Sequence, residues 1–265
     1  MPPRHIRKAV LKARISSQVE DHEPKCSIPG CGRPTMRSAK QGLAAYHCRY
    51  HVEHRARHGS HWHKSYRATE LKPYLAAASD WIEEHRDEHW VAAALTSLTA
   101  LMDDAGRAET ANNIRGLSPQ RRAKIALARL READIKPERL LGIHLAVYAL
   151  IEEDPGSHNV REFRVVQVAK AAHRLASGYH QTWDDIPLEG GKTGRWEIHR
   201  YPRSSGRVLR HLGKMIEDEC EHVTDRYRKD VLALKVSGFG RHPAITNPKP
   251  TPLALPPERR RPSDR

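Results

Sequence analysis

Cys26-Ser-Ile-Pro-Gly-Cys31 and Cys48-Arg-Tyr-His51 are two short pairs of metal-binding residue types, separated by sixteen residues. Thiolates and an imidazole in two such pairs supply the four ligands of a tetrahedral zinc ion. The spacing therefore predicts one zinc ion held by Cys26, Cys31, Cys48 and His51. Because four protein ligands leave no open coordination position, we expect the metal to be structural and its binding energy to be folding energy.

The fourth ligand has several candidates, because histidines are dense in this part of the chain. His51 is favoured because it lies one turn after Cys48 on a predicted helix from Tyr46 to Arg57. The alternatives are His47, His54 and His58. A second metal site built from the neighbouring histidines is the weaker interpretation, since such a run is typical of a solvated helix face.

The composition favours a mainly α-helical protein. Only 38% of the 265 residues are hydrophobic, 6% are aromatic and two are Phe, and many of the apolar residues are Ala. Apolar periodicity and capping signals predict a series of helices. They cover about residues 73–87, 89–104, 119–133, 137–152, 160–177 and 205–236. Alternating apolar and polar residues on both sides of Glu189–Gly194 predict a β-hairpin near residues 186–200.

These patterns divide the chain into four segments. Residues 1–23 form a basic arm, and residues 24–69 form a small zinc-binding module in which Gly42-Leu43 marks a hairpin and Gly59 ends the helix. Residues 70–236 form a helical domain that carries the hairpin. Residues 237–265 are rich in Pro and Arg, and we expect them to be a disordered tail.

The charge is large and unevenly distributed. The formal net charge is +14, from 46 basic and 32 acidic residues. Residues 1–69 carry 14 basic and 4 acidic side chains, whereas residues 70–115 carry 4 and 9. Basic ends around an acidic middle are typical of a protein whose ends contact a polyanion. Solubility alone is the competing explanation.

The basic residues around the predicted zinc ligands are the candidates for phosphate contact. They are Arg33, Arg49, Arg55, Arg57 and Lys64. Arg predominates, and its planar guanidinium suits phosphate and guanine edges. We therefore expect a nucleic-acid partner, with DNA preferred. Trp62, Tyr66 and Tyr74 follow the same region and either stack on bases or serve as core anchors.

The module also resembles a known type of zinc site. Cys26-x4-Cys31-Gly-Arg33-Pro34, Gly42-Leu43, Cys48-x2-His51 and Arg57-His58-Gly59 are similar to a short treble-clef-like zinc knuckle over residues 24–59. Such knuckles occur in bacterial and phage proteins of mobile elements, often N-terminal to HNH-type nucleases. The resemblance implies a zinc-nucleated module that supports nucleic-acid contact.

The nuclease half of that pattern is missing from this sequence. No Asp-His pair is followed by Asn and His at nuclease spacing, and His158-Asn159 stands without that context. We therefore predict a non-enzymatic, zinc-containing DNA-binding protein of a phage or mobile element, with no catalytic residues. The alternatives are a DNA-processing enzyme, a nuclease or recombinase using residues such as His199, His211 or Tyr227, and a zinc-stabilised protein–protein adaptor.

The cysteine usage and the apolar runs bear on location. Three of the four cysteines belong to the metal pattern and Cys220 has no evident disulfide partner, which favours a reducing compartment. The first residues are basic without an apolar run, so no signal peptide is expected. The longest uncharged run, Trp90–Met102, is too short to cross a bilayer. A cytoplasmic protein without membrane contact is expected.

Overall fold

The computed structural model describes the backbone of most of the chain. The described residues are 24–35, 45–109, 114, 116–175, 180–187, 193–199, 204–223 and 225–246. Helices dominate this part, as the composition predicts. They are α1 (Arg49–His58), α2 (Ala68–Glu84), α3 (His89–Asp103), α4 (Pro119–Glu132), α5 (Pro137–Glu153), α6 (Arg161–Leu175), α7 (Gly206–Glu219), α8 (Asp225–Phe239) and α9 (Pro243–Thr246).

The chain divides into two compact units at Arg55 and Ala56, so the boundary falls within α1. The sequence pattern places the end of the zinc module later, at residue 69. Residues 56–69 belong instead to the helical unit, because backbone groups in this range form hydrogen bonds with a side chain of α6. The side chain of Gln167 on α6 donates to the carbonyl of His58 at 2.9 Å and accepts from the backbone N–H of Tyr66 at 3.3 Å.

Helix α5 forms the centre of the helical unit. Every residue from Leu140 to Ile151 is buried, and α5 packs against α2, α3, α6, α7 and α8. A helix that is apolar on all sides can only be stable when other helices surround it. The amphipathic helices around α5 turn their apolar faces inward, and Trp81 and Phe163 are among the largest fully buried side chains.

A buried ion pair joins the C-terminal helices to this core. Lys235 of α8 donates to the Glu153 carboxylate at the end of α5, and both side chains are almost fully buried. The Tyr74 hydroxyl and the backbone N–H of His242 also donate to Glu153, the latter at 2.7 Å. These three donors satisfy a carboxylate that would otherwise be costly to bury.

Most predicted helices lie where the capping signals place them. Ser118 caps α4 by accepting a hydrogen bond from the Arg121 N–H, and Pro119 occupies the first turn. α2 begins at Ala68, five residues before Pro73, because the Glu70 carboxylate accepts from the Arg67 N–H and closes a capping arrangement. The prediction that this helix begins at about residue 73 is therefore wrong.

The predicted final helix over residues 205–236 is two helices. After α7 the chain turns at Cys220, whose N–H bonds to the Glu217 carbonyl, and Val223 bonds back to Cys220. The turn buries the side chains of Cys220 and Val223 completely. Helix α8 then runs to Phe239 and α9 follows, so the first ten residues of the predicted tail, 237–246, contain regular structure. The rest of the tail, the basic arm and the Gly42-Leu43 hairpin lie outside the described residues.

The predicted hairpin is present as an antiparallel pair. β1 (His180–Pro187) pairs with β2 (Thr193–His199), with His180 opposite His199 and Trp183 opposite Trp196. The register shifts between Trp183 and Ile186, which indicates a bulge. In the described part of the chain, no helix has the length and apolar character needed to cross a membrane.

Candidate metal centre

A short hairpin carries the first pair of candidate ligands. The Thr35 N–H donates to the Pro24 carbonyl at 2.8 Å and the Cys26 N–H to the Arg33 carbonyl at 2.9 Å. Between these bonds the chain reverses at Gly30, whose φ is +77°. Only glycine adopts such a φ without steric cost, which explains the residue at this turn. The reversal brings the thiols of Cys26 and Cys31 together.

Helix α1 carries the second pair. Cys48 immediately precedes the helix, and its carbonyl accepts from the Val52 N–H at 3.1 Å, so it occupies the N-cap position. His51 follows in the first turn. Residues three apart at a helix start lie on one face, which brings the two side chains together. The sequence predicts that this helix begins at Tyr46, but it begins at Arg49. The Tyr46 carbonyl accepts hydrogen bonds from Ser27 and therefore does not take part in the helix.

The four ligand atoms converge. The three sulfurs and a ring nitrogen of His51 all lie within 4.8 Å of one another, and all four residues are buried. Cys31 Sγ lies 3.7 Å from Cys48 Sγ, and His51 Nδ1 lies 3.2 Å from Cys26 Sγ and 3.4 Å from Cys48 Sγ. The cysteines are free thiols rather than disulfides.

These separations fit a tetrahedral ion. Bonds of about 2.3 Å to sulfur and about 2.0 Å to nitrogen place two sulfurs about 3.8 Å apart and a sulfur and a nitrogen about 3.5 Å apart. The observed distances lie close to these values. Cys26, Cys31, Cys48 and His51 are therefore placed to bind a metal ion, as the spacing predicts.

The surroundings shift the pKa values of three of the four residues. Burial raises the pKa of Cys31 to about 11, and the neighbouring Cys48 and Cys26 thiols add to the effect. Burial has the same tendency at Cys26, but hydrogen bonds from the Cys48 and Ile28 backbone outweigh it, so the pKa of Cys26 is lowered. Burial, aided by His54 and Arg33, lowers the pKa of His51 and keeps the ring neutral, as a metal ligand must be.

The alternative fourth ligands have other surroundings. His54 is buried on α1 with its ring 5.9 Å from that of Tyr50. His58 Nδ1 lies 2.9 Å from Ser65 Oγ and 3.3 Å from Lys170 Nζ. In the described residues, the histidine-rich run forms no second group of converging metal ligands.

The five predicted phosphate-contacting residues are divided between the two units. Arg33, Arg49 and Arg55 belong to the unit that holds the metal cluster, whereas Arg57 and Lys64 belong to the helical unit. The side chain of Arg49 is 81% exposed and pairs with Glu53 at 2.9 Å. Arg57 and Lys64 are also exposed.

Two of the predicted aromatic contacts are core residues. Tyr66 and Tyr74 are buried, and their hydroxyls donate to Asp154 and Glu153. Trp62 is 48% exposed and its ring lies 4.1 Å from that of His158. Sequence reasoning missed the exposed Tyr46 and Tyr50 of the metal-binding unit. The sequence contained a signal for them, since each tyrosine lies two residues from the ligand Cys48.

The candidate catalytic residues of the C-terminal half have separate environments. His211 is exposed on α7, whereas Tyr227 of α8 packs against Trp81 with ring centroids 5.1 Å apart. Burial raises the pKa of Tyr227, and a hydrogen bond to Glu88 adds to this.

Comparisons with protein-family models, with curated proteins and with solved structures gave no match to this chain. The resemblance to a treble-clef-like knuckle therefore rests on the residue pattern alone.

Proposed function

We propose that this chain is a zinc-containing nucleic-acid-binding protein, with DNA as its partner and the metal in a structural role. The observation that carries the proposal is the closed set of three buried cysteines and one buried histidine within a basic part of the chain. Such a set stabilises a small fold that has too few apolar residues for a core of its own.

The donor set supports zinc. Three sulfurs and one imidazole nitrogen at tetrahedral spacing are typical of structural zinc, whereas oxygen ligands suit magnesium and calcium. In the described residues, the apolar cluster of this unit consists of the three cysteines and the partly buried Ile28. A bound ion would hold the hairpin to the start of α1, because each of the two elements supplies two ligands.

The charge around the site supports a polyanionic partner. Residues 1–69 carry ten more basic than acidic side chains. The pair between Arg49 and Glu53 is exposed, with 81% and 48% of the side-chain surfaces accessible, so a phosphate can displace the carboxylate at little cost. We therefore assign phosphate contact to Arg33, Arg49, Arg55, Arg57 and Lys64.

The experiment combines a metal measurement with DNA binding by the full chain. Purified wild-type protein is expected to contain one zinc ion per chain and to bind duplex and single-stranded DNA with an affinity that falls steeply as salt rises. Cys26→Ser is expected to lose both zinc and DNA binding. Cys220→Ala is the matched control, since Cys220 belongs to the helical unit and is not one of the four converging ligands.

Three outcomes would contradict the proposal. Purified protein without one zinc ion per chain would contradict the structural role of zinc. An affinity for DNA that does not change with salt would contradict the contacts to phosphates. A Cys26→Ser protein that loses zinc but binds DNA as the wild type does would move the binding surface to the helical unit.

A further inference from the structure

Two tyrosines of the metal-binding unit expose most or nearly half of their surface. Tyr46 is 65% exposed and Tyr50 is 45% exposed. A single exposed aromatic ring is ordinary on a protein surface. Here two lie four residues apart on either side of the metal ligand Cys48, in a part of the chain rich in arginine. That combination of rings and cations is typical of a surface that stacks nucleic-acid bases.

Both tyrosines are attached to the elements that hold the ligands. The Tyr46 carbonyl accepts two hydrogen bonds from Ser27, one from its N–H and one from its hydroxyl, each at 2.8 Å. Ser27 directly follows the ligand Cys26. Tyr50 lies in the first turn of α1, with its ring edge-on to His51 at 5.1 Å between centroids. Their backbone positions are therefore set before a ligand binds, which reduces the entropy lost on binding.

Arginine side chains accompany the rings. The guanidinium carbon of Arg33 lies 5.0 Å from the centre of the Tyr50 ring, a cation–π arrangement. Arg49 immediately precedes Tyr50 and is 81% exposed. A strand whose bases stack on tyrosines has its phosphates on the outside, within reach of such long cations.

We infer that Tyr46 and Tyr50 stack on unpaired bases, so that the metal-binding unit prefers single-stranded to duplex DNA. In a duplex the bases stack on one another and their faces are not accessible, whereas in a single strand every base offers a face. The preference should tolerate changes in sequence, because stacking does not distinguish base edges. This inference rests on the proposed DNA-binding function and specifies the form of DNA that is bound.

The test compares two strands that differ only in their bases. Full-length, zinc-loaded protein is titrated with a labelled oligothymidylate and with an abasic deoxyribose-phosphate strand of the same length. Wild-type protein is expected to bind the oligothymidylate about tenfold or more tightly than the abasic strand. Tyr46→Ala and Tyr50→Ala should each weaken oligothymidylate binding about tenfold and leave abasic binding unchanged.

Matched variants separate stacking from other effects. Tyr46→Phe and Tyr50→Phe keep the rings and should bind as the wild type does. Phe239→Ala removes an exposed ring from α8 of the helical unit and should change nothing. Zinc content is measured for every variant. If Tyr50→Ala loses zinc, the comparison of the two strands and the Tyr46→Ala protein decide the question.

Equal affinity of wild-type protein for the two strands would overturn the inference, as would unchanged oligothymidylate binding by zinc-loaded Tyr46→Ala and Tyr50→Ala. In both cases the protein still binds phosphates and the proposed function stands. Failure of the proposed function is a different result, namely no binding of any strand, abasic, single or duplex.

Discussion

At the scale of single residues, His51 completes the ligand set, and its replacement provides a sharp test. His51→Ala leaves three thiols as ligands, so we expect the affinity for zinc to fall by about a hundredfold or more. His51→Cys should retain tight binding, because four cysteines also form a tetrahedral zinc site. The measurement is competition with a chromogenic chelator.

His47→Ala is the control for that change, since His47 precedes the ligand Cys48 but lies outside the converging group. Its zinc affinity should equal that of the wild type. A His51→Ala protein that holds zinc as tightly as the wild type would show that another histidine supplies the fourth ligand.

The buried pair of Glu153 and Lys235 is expected to contribute to the stability of the helical unit. The two side chains are 6% and 3% exposed. Lys235→Met removes the cation and leaves a buried carboxylate with two neutral donors, so we expect the free energy of unfolding to fall by about 3 kcal/mol. Urea unfolding measures this change.

Two comparisons make the ion-pair test specific. Glu153→Gln combined with Lys235→Met should cost less than the two single changes added together, because neither charge is then left alone. Arg86→Met removes the exposed pair with Glu138 and should change stability by less than about 1 kcal/mol. A Lys235→Met protein as stable as the wild type would show that the pair contributes nothing.

At the scale of elements, α6 and α7 cross at a glycine. A Cβ built on Gly213 would collide with the backbone carbonyl of Val165 on α6, so only glycine lets the two helices approach this closely. Gly213→Ala should force them apart and lower the free energy of unfolding by about 2 kcal/mol or more. Thermal and urea unfolding measure the loss.

Gly142 of α5 is the matched control because it is also a helical glycine. A Cβ there would lie 3.6 Å from Ile82 Cδ1, an ordinary contact. Gly142→Ala should therefore leave stability unchanged or raise it by about 0.5–1 kcal/mol, as alanine favours helices. The same loss in both variants would mean that the close helix crossing is not what requires Gly213.

Local signals explain which elements the sequence predicted well. Ser118-Pro119 and Lys136-Pro137 mark the starts of α4 and α5 because N-caps and first-turn prolines act within a few residues. The metal ligands were also predictable, since their chemistry and spacing are local.

Long-range packing explains what the sequence did not predict. The turn at Cys220 depends on the burial of Cys220 and Val223 in a core formed by distant helices. The role of residues 56–69 depends on Gln167 and Asp154, about a hundred residues away along the chain. Periodicity contains no information about such partners.

At the scale of the whole molecule, buried histidines link the stability of the helical unit to pH. Burial, with Arg228 and Arg164 nearby, lowers the pKa of His144 to about 3. Burial, with Arg129 and Arg122 nearby, lowers the pKa of His173 to about 4. His144 Nε2 lies 3.5 Å from Arg228 Nη2, whereas its Nδ1 is buried without a hydrogen-bond partner in the described structure. With Nε2 accepting from Arg228, the neutral ring carries its one proton on Nδ1, and a second proton on Nε2 would face the Arg228 guanidinium, which has no acceptor.

The direction of the pH dependence follows from the pH at which the folded and the unfolded states bind protons. Below about pH 6.5 the unfolded chain protonates both histidines, whereas the folded chain resists until about pH 4 or below. The unfolded state therefore gains protons first, and each histidine should lower the free energy of unfolding by about 1.4 kcal/mol per pH unit in this range.

His144→Gln, which does not titrate, should reduce that slope by one histidine's share when urea unfolding is compared between about pH 7 and about pH 5. If His144→Gln and the wild type lose stability equally over this range, His144 is already protonated in the folded protein, and the acid sensitivity has another source.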